Sequence, residues 1–495
     1  MRPTNVLFIM SDQHSRHILG CYGHPVVQTP VLDRLAAQGT RFANAYCNVP
    51  ICVPSRASFA TGRYVHELGT WDNAAPYTGA EAPSWGHRLT ARGHKVTTVG
   101  KLHYRRVDDP TGFPDQRLPM HILGGVGDLY GLLREDMPPK PDSRKHVLEA
   151  GAGESEYIRY DRAIAQTSAR WLREEAPEQR KPWVLFVSFT CPHFPLRAPD
   201  AYFNRYPLDS VPMPVQARPE EWPRHPVINV LRQKASLDQP IDERTMRRAI
   251  AAYYGLVTFL DEQIGLVLQA LDEAGLRNDT RIIYASDHGE MLGEHGLWWK
   301  SSMYEGAVGV PLILAGPDVP AGRTVETNVS LVDLFPTLLE ATGVPLAPED
   351  ARLPGGSLWA MAQEADRPRL VFSEYHALYS PCGFYMLRDE RYKYVYYVGY
   401  PPQLFDLRDD PDELHDLAAQ AQHADRLRAF EQRLRMIVDP EEVDRRAKAD
   451  QRQRIAAHGG VAKVLAGGVK IPYTPAPTEF GPAQVDAPES AHGEG

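Results

Sequence analysis

The sequence predicts an α/β fold, with a large, mostly parallel sheet flanked by helices and a smaller antiparallel sheet near the C-terminus. Short apolar runs bounded by turn residues recur along the chain, helical patterns lie between them, and after about Arg369 the runs crowd together. The first run, Val6 to Met10, reads as a strand. It has neither the basic region nor the small-residue cleavage site of a signal peptide. Val96 to Val99, Trp183 to Phe189, Arg281 to Ala285 and Val310 to Leu314 follow, each suited to burial on both faces of a sheet. Between Trp183 to Phe189 and Arg281 to Ala285, Met246, Ile250, Tyr253, Val257, Leu260, Ile264, Val267 and Leu271 step by three and four residues, and Gly275 ends the helix they define. Leu370 to Tyr375, Phe384 to Arg388 and Tyr392 to Val398 form the small antiparallel sheet, the last two joined through Asp389-Glu390-Arg391. A helix with Leu427, Phe430, Leu434 and Ile437 on one face comes next. From Asp439 the chain is charged and helical. From Pro472 to Gly495 it is rich in Pro and Gly, and is expected to be disordered or laid over another surface. This divides the chain at 1–369, 370–440 and 441–495.

At 495 residues, 43% hydrophobic and 24% charged, the chain is long enough for one large α/β unit and a smaller one. A net charge of −9 excludes a general polyanion coat such as a nucleic-acid-binding protein would need. No run approaches the roughly 18 apolar residues of a membrane span. The five cysteines, Cys21, Cys47, Cys52, Cys191 and Cys382, are too few and too odd in number for a disulfide framework, so a cytoplasmic location is expected.

Ligands of open α/β sheets bind beyond the carboxyl ends of the strands. Four strands here end in Ser11-Asp12-Gln13, Gly100-Lys101-Leu102-His103, Cys191-Pro192-His193 and Ser286-Asp287-His288-Gly289. Together these carboxylates, amide, ammonium and imidazoles can hold a cation and an anion. Taken singly, Asp12 would cap a helix, His193 would be a hydrogen-bonded loop residue, and Lys101 a solvated one. A further segment stands apart. In Cys52-Val53-Pro54-Ser55-Arg56, continuing to Thr61-Gly62-Arg63, Pro54 suits a helix start and Gly62 its end. Cys52 then sits at the helix N-terminus, where unpaired N–H groups favour an anion, and Arg56 one turn later can aim its fork at the same place. An isolated cysteine would more often be a buried thiol.

The Cys-x-Pro-Ser-Arg run resembles the signature of the type I sulfatases of the alkaline phosphatase superfamily. The resemblance extends to Asn5–Gln13, Tyr46–Tyr64, Trp71–Ala75, Gly100–Tyr104, Ser286–Lys300 and Leu404–Leu414, in family order and over most of the chain to about residue 417. It implies an alkaline phosphatase-like fold and conversion of Cys52 by a maturation enzyme to Cα-formylglycine (3-oxoalanine), whose hydrate is the nucleophile. It further implies one divalent metal ion held by Asp12, Gln13, Asp287, His288 and the modified Cys52. Lys101 and Lys300 would bind sulfate oxygens, and Arg56 would hold the hydrate. His103 would take its proton, His193 would serve the leaving group, and Asn73 would contact the ester. One hydroxyl of the hydrate would attack sulfur, and the second would then be deprotonated to release sulfate, a step that a serine nucleophile could not perform.

Many arylsulfatases carry two successive aspartates and a later Asp-Asn where this chain has Asp12-Gln13 and Asp287-His288. The exchange removes a negative charge and adds a nitrogen donor, shifting the expected ion from calcium toward manganese. Choline sulfatases and phosphonate monoester hydrolases share the Gln and His. The latter family replaces the Lys and His of Gly-Lys-x-His with uncharged hydroxyl residues, whereas this chain keeps Lys101 and His103. Hydrolysis of a small alkyl or aryl sulfate monoester is therefore expected, with phosphonate monoester or phosphodiester hydrolysis as the alternative. A metal-dependent anion-binding protein is the reading if Cys52 is not matured. Tyr130, Trp298, Trp299 and Tyr379 are candidates for an aromatic box, and Thr111 to Gly153 for a substrate-facing loop. By the same resemblance the C-terminal extension, with Pro472, Pro475, Pro477 and Pro482, would reach a neighbouring subunit of a dimer or tetramer.

Overall fold

The computed structural model describes residues 2–468 and 473–477. Its main sheet has eight strands, in the order Arg323–Val325, Thr40–Phe42, Leu312–Ala315, Thr280–Ser286, Asn5–Asp12, Val184–Pro192, Val96–Lys101 and Asp115–Met120. Asn5–Asp12 lies at the centre, parallel to both neighbours, with Phe8 opposite Phe186 on one side and Ile283 on the other. Its apolar residues Val6 to Met10 are wholly buried, as a strand covered on both faces requires.

Four of the five strands expected in this sheet are parallel to each other. The fifth, Leu312–Ala315, runs antiparallel to Thr280–Ser286 and to Thr40–Phe42. A short apolar run carries no directional signal, and the sequence reading missed both this reversal and the brief strands around it. The predicted amphipathic helix spans Glu243–Glu273, starts with the Asp242 carboxylate accepting from Thr245 N at 2.9 Å, and is followed by Gly275 at φ +70°.

The second sheet contains Val371–Tyr375, Phe384–Arg388, Tyr392–Tyr397 and Tyr400–Asp406, all antiparallel. Its fourth strand went unrecognised because Pro401-Pro402 argues against a strand. As the edge strand, it leaves the missing N–H groups pointing at no partner. Helix Ala424–Ile437 covers this sheet through Phe430 and Leu434.

Helix Pro440–Ala457 then folds back over the N-terminal half. Asp450 accepts from Trp71 Nε1 at 2.8 Å, and Asp444 pairs with Arg134 at 3.2 Å. The shorter helix Gly460–Gly467 buries Val464 in the main core. Of the prolines assigned to an extended arm, Pro475 and Pro477 belong to a segment laid on this chain's own main domain, while Pro472 and Pro482 lie outside the described residues. All five cysteines are free.

Candidate active site and metal centre

Cys52 opens a ten-residue helix, Cys52–Thr61, that is buried along its whole length. Ile51 precedes it in an extended conformation, and Gly62 ends it at φ +69°, a left-handed value that glycine adopts without cost. Ile51 offers no capping side chain, and the Val53 N–H is taken by Asn73 Oδ1 at 3.2 Å. Ser55 Oγ donates to the Asp287 carbonyl at 2.6 Å, fixing the helix to the end of strand Thr280–Ser286. The helix start therefore faces the carboxyl edge of the central strands, where a dipole can act on a ligand.

Four donor atoms, one each from Asp12, Cys52, Asp287 and His288, lie within 4.8 Å of one another, and all four residues are buried. Cys52 Sγ is 3.1 Å from His288 Nε2 and 3.8 Å from Asp12 Oδ1. His288 Nδ1 donates to the Gly289 carbonyl at 3.0 Å, which turns Nε2 toward the cluster. Asp287 Oδ1 is oriented by the backbone N–H groups of Gln13 at 3.1 Å and His288 at 3.0 Å. Ligands about 2.0–2.5 Å from a single ion stand about 3–4 Å apart, so the donor set fits one cation. Gln13, the remaining predicted ligand, holds a left-handed backbone at φ +65°. Its amide nitrogen donates to Glu290, and its amide oxygen accepts from Lys300.

Cations surround this cluster. Lys101 pairs with Asp12, and Lys300 reaches both Gln13 and His193 Nε2, the latter at 3.1 Å. The Arg56 guanidinium meets two carboxylates: Nε donates to Asp287 at 2.8 Å, and Nη2 lies 3.5 Å from Asp12. Its Nη1 holds the Lys101 carbonyl at 2.6 Å and Ser188 Oγ at 2.9 Å, while Nη2 has no hydrogen-bond partner among the described residues. The anionic oxygens expected for its fork thus include the metal-site carboxylates themselves.

Burial alone would raise the Asp12 carboxyl, but Lys101 and Arg56 hold it well below the usual carboxylate range. Burial and Asp12 push the Cys52 thiol up, yet Lys300, Lys101 and His288 outweigh them and bring it below its ordinary value. Burial, then Lys300, keeps His193 far below the usual imidazole value, and its Nδ1 donates to the Phe194 carbonyl at 2.6 Å. His193 is therefore neutral, with Nε2 facing Lys300.

A cavity of about 480 Å³ opens over Cys52. Asn73, Lys101, His103, His193 and Lys300 line its floor, so the structure brings together every predicted residue of the anion subsite. Tyr130, Trp299 and Tyr379 line it as well, whereas Trp298 does not. The predicted substrate-facing stretch supplies Ile122, Leu123, Gly127 to Tyr130, Lys140, Asp142, Ser143 and His146. Sequence reasoning missed Tyr157, Phe194, Lys463, Tyr473 and Thr474, which also face the cavity. Phe194 follows the strand end at His193 and could have been counted there; the others carry no local signal.

An α/β sheet with a buried Asp/Cys/Asp/His cluster that fits a metal ion, beside a cavity lined by lysines and histidines at its carboxyl edge, has the arrangement of an alkaline phosphatase-like hydrolase. The sulfatase family profile matches residues 4–344, and the profile of the N-sulphoglucosamine sulphohydrolase C-terminal region matches residues 293–439. The chain is 34% identical over 435 residues to the choline-sulfatase of Rhizobium meliloti (strain 1021), covering 84% of this chain and 82% of that one. It is 31% identical over 461 residues to arylsulfatase K of Bos taurus, covering 88% and 82%. The phosphonate monoester hydrolase of Agrobacterium radiobacter superposes with a TM-score of 0.71 at 27% identity, over 87% of this chain and 94% of that one. The chain belongs to the sulfatase family and is a hydrolase of sulfate esters.

Proposed function

We propose that the protein cleaves a small alkyl or aryl sulfate monoester to an alcohol and sulfate, using a Cα-formylglycine formed from Cys52. The observation that carries this is the position of Cys52: at the start of a buried helix, 3.1 Å from His288 Nε2, within the Asp12, Asp287 and His288 cluster. The hydrate of the matured residue would supply one hydroxyl to attack sulfur and a second through which sulfate could be released.

Asp12, Asp287 and His288, with Gln13 and residue 52 beside them, are the groups that would hold a divalent ion, which would draw charge from the ester oxygens. Two carboxylate residues, an amide and an imidazole favour manganese over calcium. Lys101 and Lys300 bind the remaining sulfate oxygens and orient the ester. Arg56 pairs with both aspartates and holds them in place, with Nη2 left to hold residue 52. Asn73 spends its oxygen on Val53 N, so its amide N–H groups face the ester. His193 stands on the leaving-group side, and His103 takes the proton released at residue 52.

The likeness to a phosphonate monoester hydrolase supports phosphonate monoesters or phosphodiesters as secondary substrates, because the same positive pocket suits them. Lys101 and His103 favour the sulfate ester. If Cys52 stays a thiol, the site binds anions beside a metal without efficient turnover. Mass analysis of the Cys52 peptide from the native host, together with assays of sulfate monoesters, phosphonate monoesters and phosphodiesters, tests the reading. An unmodified thiol in active enzyme would refute the mechanism.

Five unpaired cysteines support a cytoplasmic site of action, and no helix among the described residues is long and apolar enough to cross a membrane. A homo-oligomer is the assembly we favour. Light scattering on the full chain tests it, and the mass of a single protomer would count against it.

A further inference from the structure

Thr474 belongs to the C-terminal segment and yet lies against the catalytic floor. Its Oγ1 is 2.8 Å from His103 Nε2, and its carbonyl accepts from Tyr157 OH at 2.6 Å. The neighbouring Tyr473 ring packs against Tyr157 with centroids 5.2 Å apart, and Ala476 is buried in the main core. The segment is thus seated on the cavity wall by three separate residues.

His103 is 5% exposed, and its other nitrogen, Nδ1, is buried with no hydrogen-bond partner among the described residues. Burial, then Lys101 and Arg56, keeps this imidazole neutral. A neutral imidazole has one N–H and one lone pair, and the partner at one nitrogen decides the state of the other. A buried polar atom without a partner carries a cost that persists where a reacting group uses it.

We propose that Thr474 is a positioning residue: its hydroxyl oxygen accepts the Nε2–H of His103 and thereby holds the tautomer whose Nδ1 lone pair takes the proton released at residue 52. The proposal rests on the role given to His103 above. In that transfer the proton passes to Nδ1, the ring becomes an imidazolium, and its Nε2–H stays on Thr474 until the proton is lost to solvent. The hydroxyl touches neither sulfur nor the metal ligands.

The test compares the parent enzyme with Thr474→Val and Thr474→Ser by kinetics on an aryl sulfate and by nitrogen NMR of histidine-labelled protein, with His103→Asn assigning the signal. The parent shows protonated Nε2 and bare Nδ1. Thr474→Val mixes the tautomers and lowers kcat about ten-fold or more, with KM within about three-fold. Thr474→Ser, which returns a hydroxyl, restores both. A His103 protonated at Nδ1 in the parent, tautomers unchanged in Thr474→Val, or a serine variant as impaired as the valine one would overturn the proposal. The NMR result stands without turnover, so an error in the assigned reaction shows up separately as a parent enzyme inactive on sulfate esters.

Discussion

Arg56 donates through Nε to Asp287 Oδ2 at 2.8 Å, with both side chains wholly out of water. Its Nη2 also lies 3.5 Å from Asp12, so one guanidinium neutralises two carboxylates that would otherwise repel each other across the metal site. Removing one partner of a buried pair leaves an uncompensated charge. Arg56→Met in metal-free protein is expected to lose about 3–5 kcal/mol in urea denaturation. An unchanged midpoint would show that the carboxylates do not depend on Arg56.

Cys52→Ala should fold like the parent, because a small apolar side chain replaces a buried thiol that makes only weak hydrogen bonds. Turnover of sulfate esters should fall by about 10⁴-fold or more, since the proposed nucleophile is gone. Circular dichroism and a progress curve check the two halves, and retained activity would remove Cys52 from the chemistry.

Chelation should lower thermal stability reversibly. Binding at about 100 times Kd contributes about 2.7 kcal/mol, which chelation removes by leaving Asp12 and Asp287 facing each other. Manganese is expected to restore the melting temperature at a lower concentration than calcium, and the reverse order would contradict the weight given to His288 as a nitrogen donor.

Asp261 offers a pH signature remote from the site. Its carboxylate accepts from Val31 N at 2.9 Å and Leu32 N at 2.8 Å, yet burial pushes its pKa up to about 7. The folded chain therefore binds a proton that the unfolded chain releases near the ordinary value of 3.8. This contribution is fully present below about pH 4 and is lost as pH rises through about 7. Asp261→Asn should flatten the stability profile over that window, measured by urea midpoints from pH 4 to 8. A slope identical to the parent's would assign the titration elsewhere.

Much of the site was legible because it follows from sheet geometry. Asp12, Lys101, His193 and Asp287 each sit at or just after the end of a buried strand, and Cys52 sits where Pro54 and Gly62 bracket a helix. Strand direction was less legible. Nothing local in Leu312–Ala315 sets its polarity, which depends on how the intervening loop returns. Gln13 shows another limit: its residue type suggested a metal ligand, but the amide's orientation depends on Glu290 and Lys300, nearly 300 residues away in sequence. Tyr473 and Thr474 were hidden for the same reason, in a segment whose composition suggested only an extended tail.

Cys52 is 1% exposed, within a helix that has no exposed residue, and the cavity above it is partly walled by Lys463, Val464, Tyr473 and Thr474. On a ribosome these two parts of the chain appear more than 400 residues apart. Under the proposed maturation, an enzyme converting Cys52 would have to grip the surrounding segment in an open form, and would have from the emergence of residue 52 until the fold closes to act. Folding speed then becomes a determinant of specific activity: variants that fold faster without gaining contacts at the site should yield a smaller matured fraction.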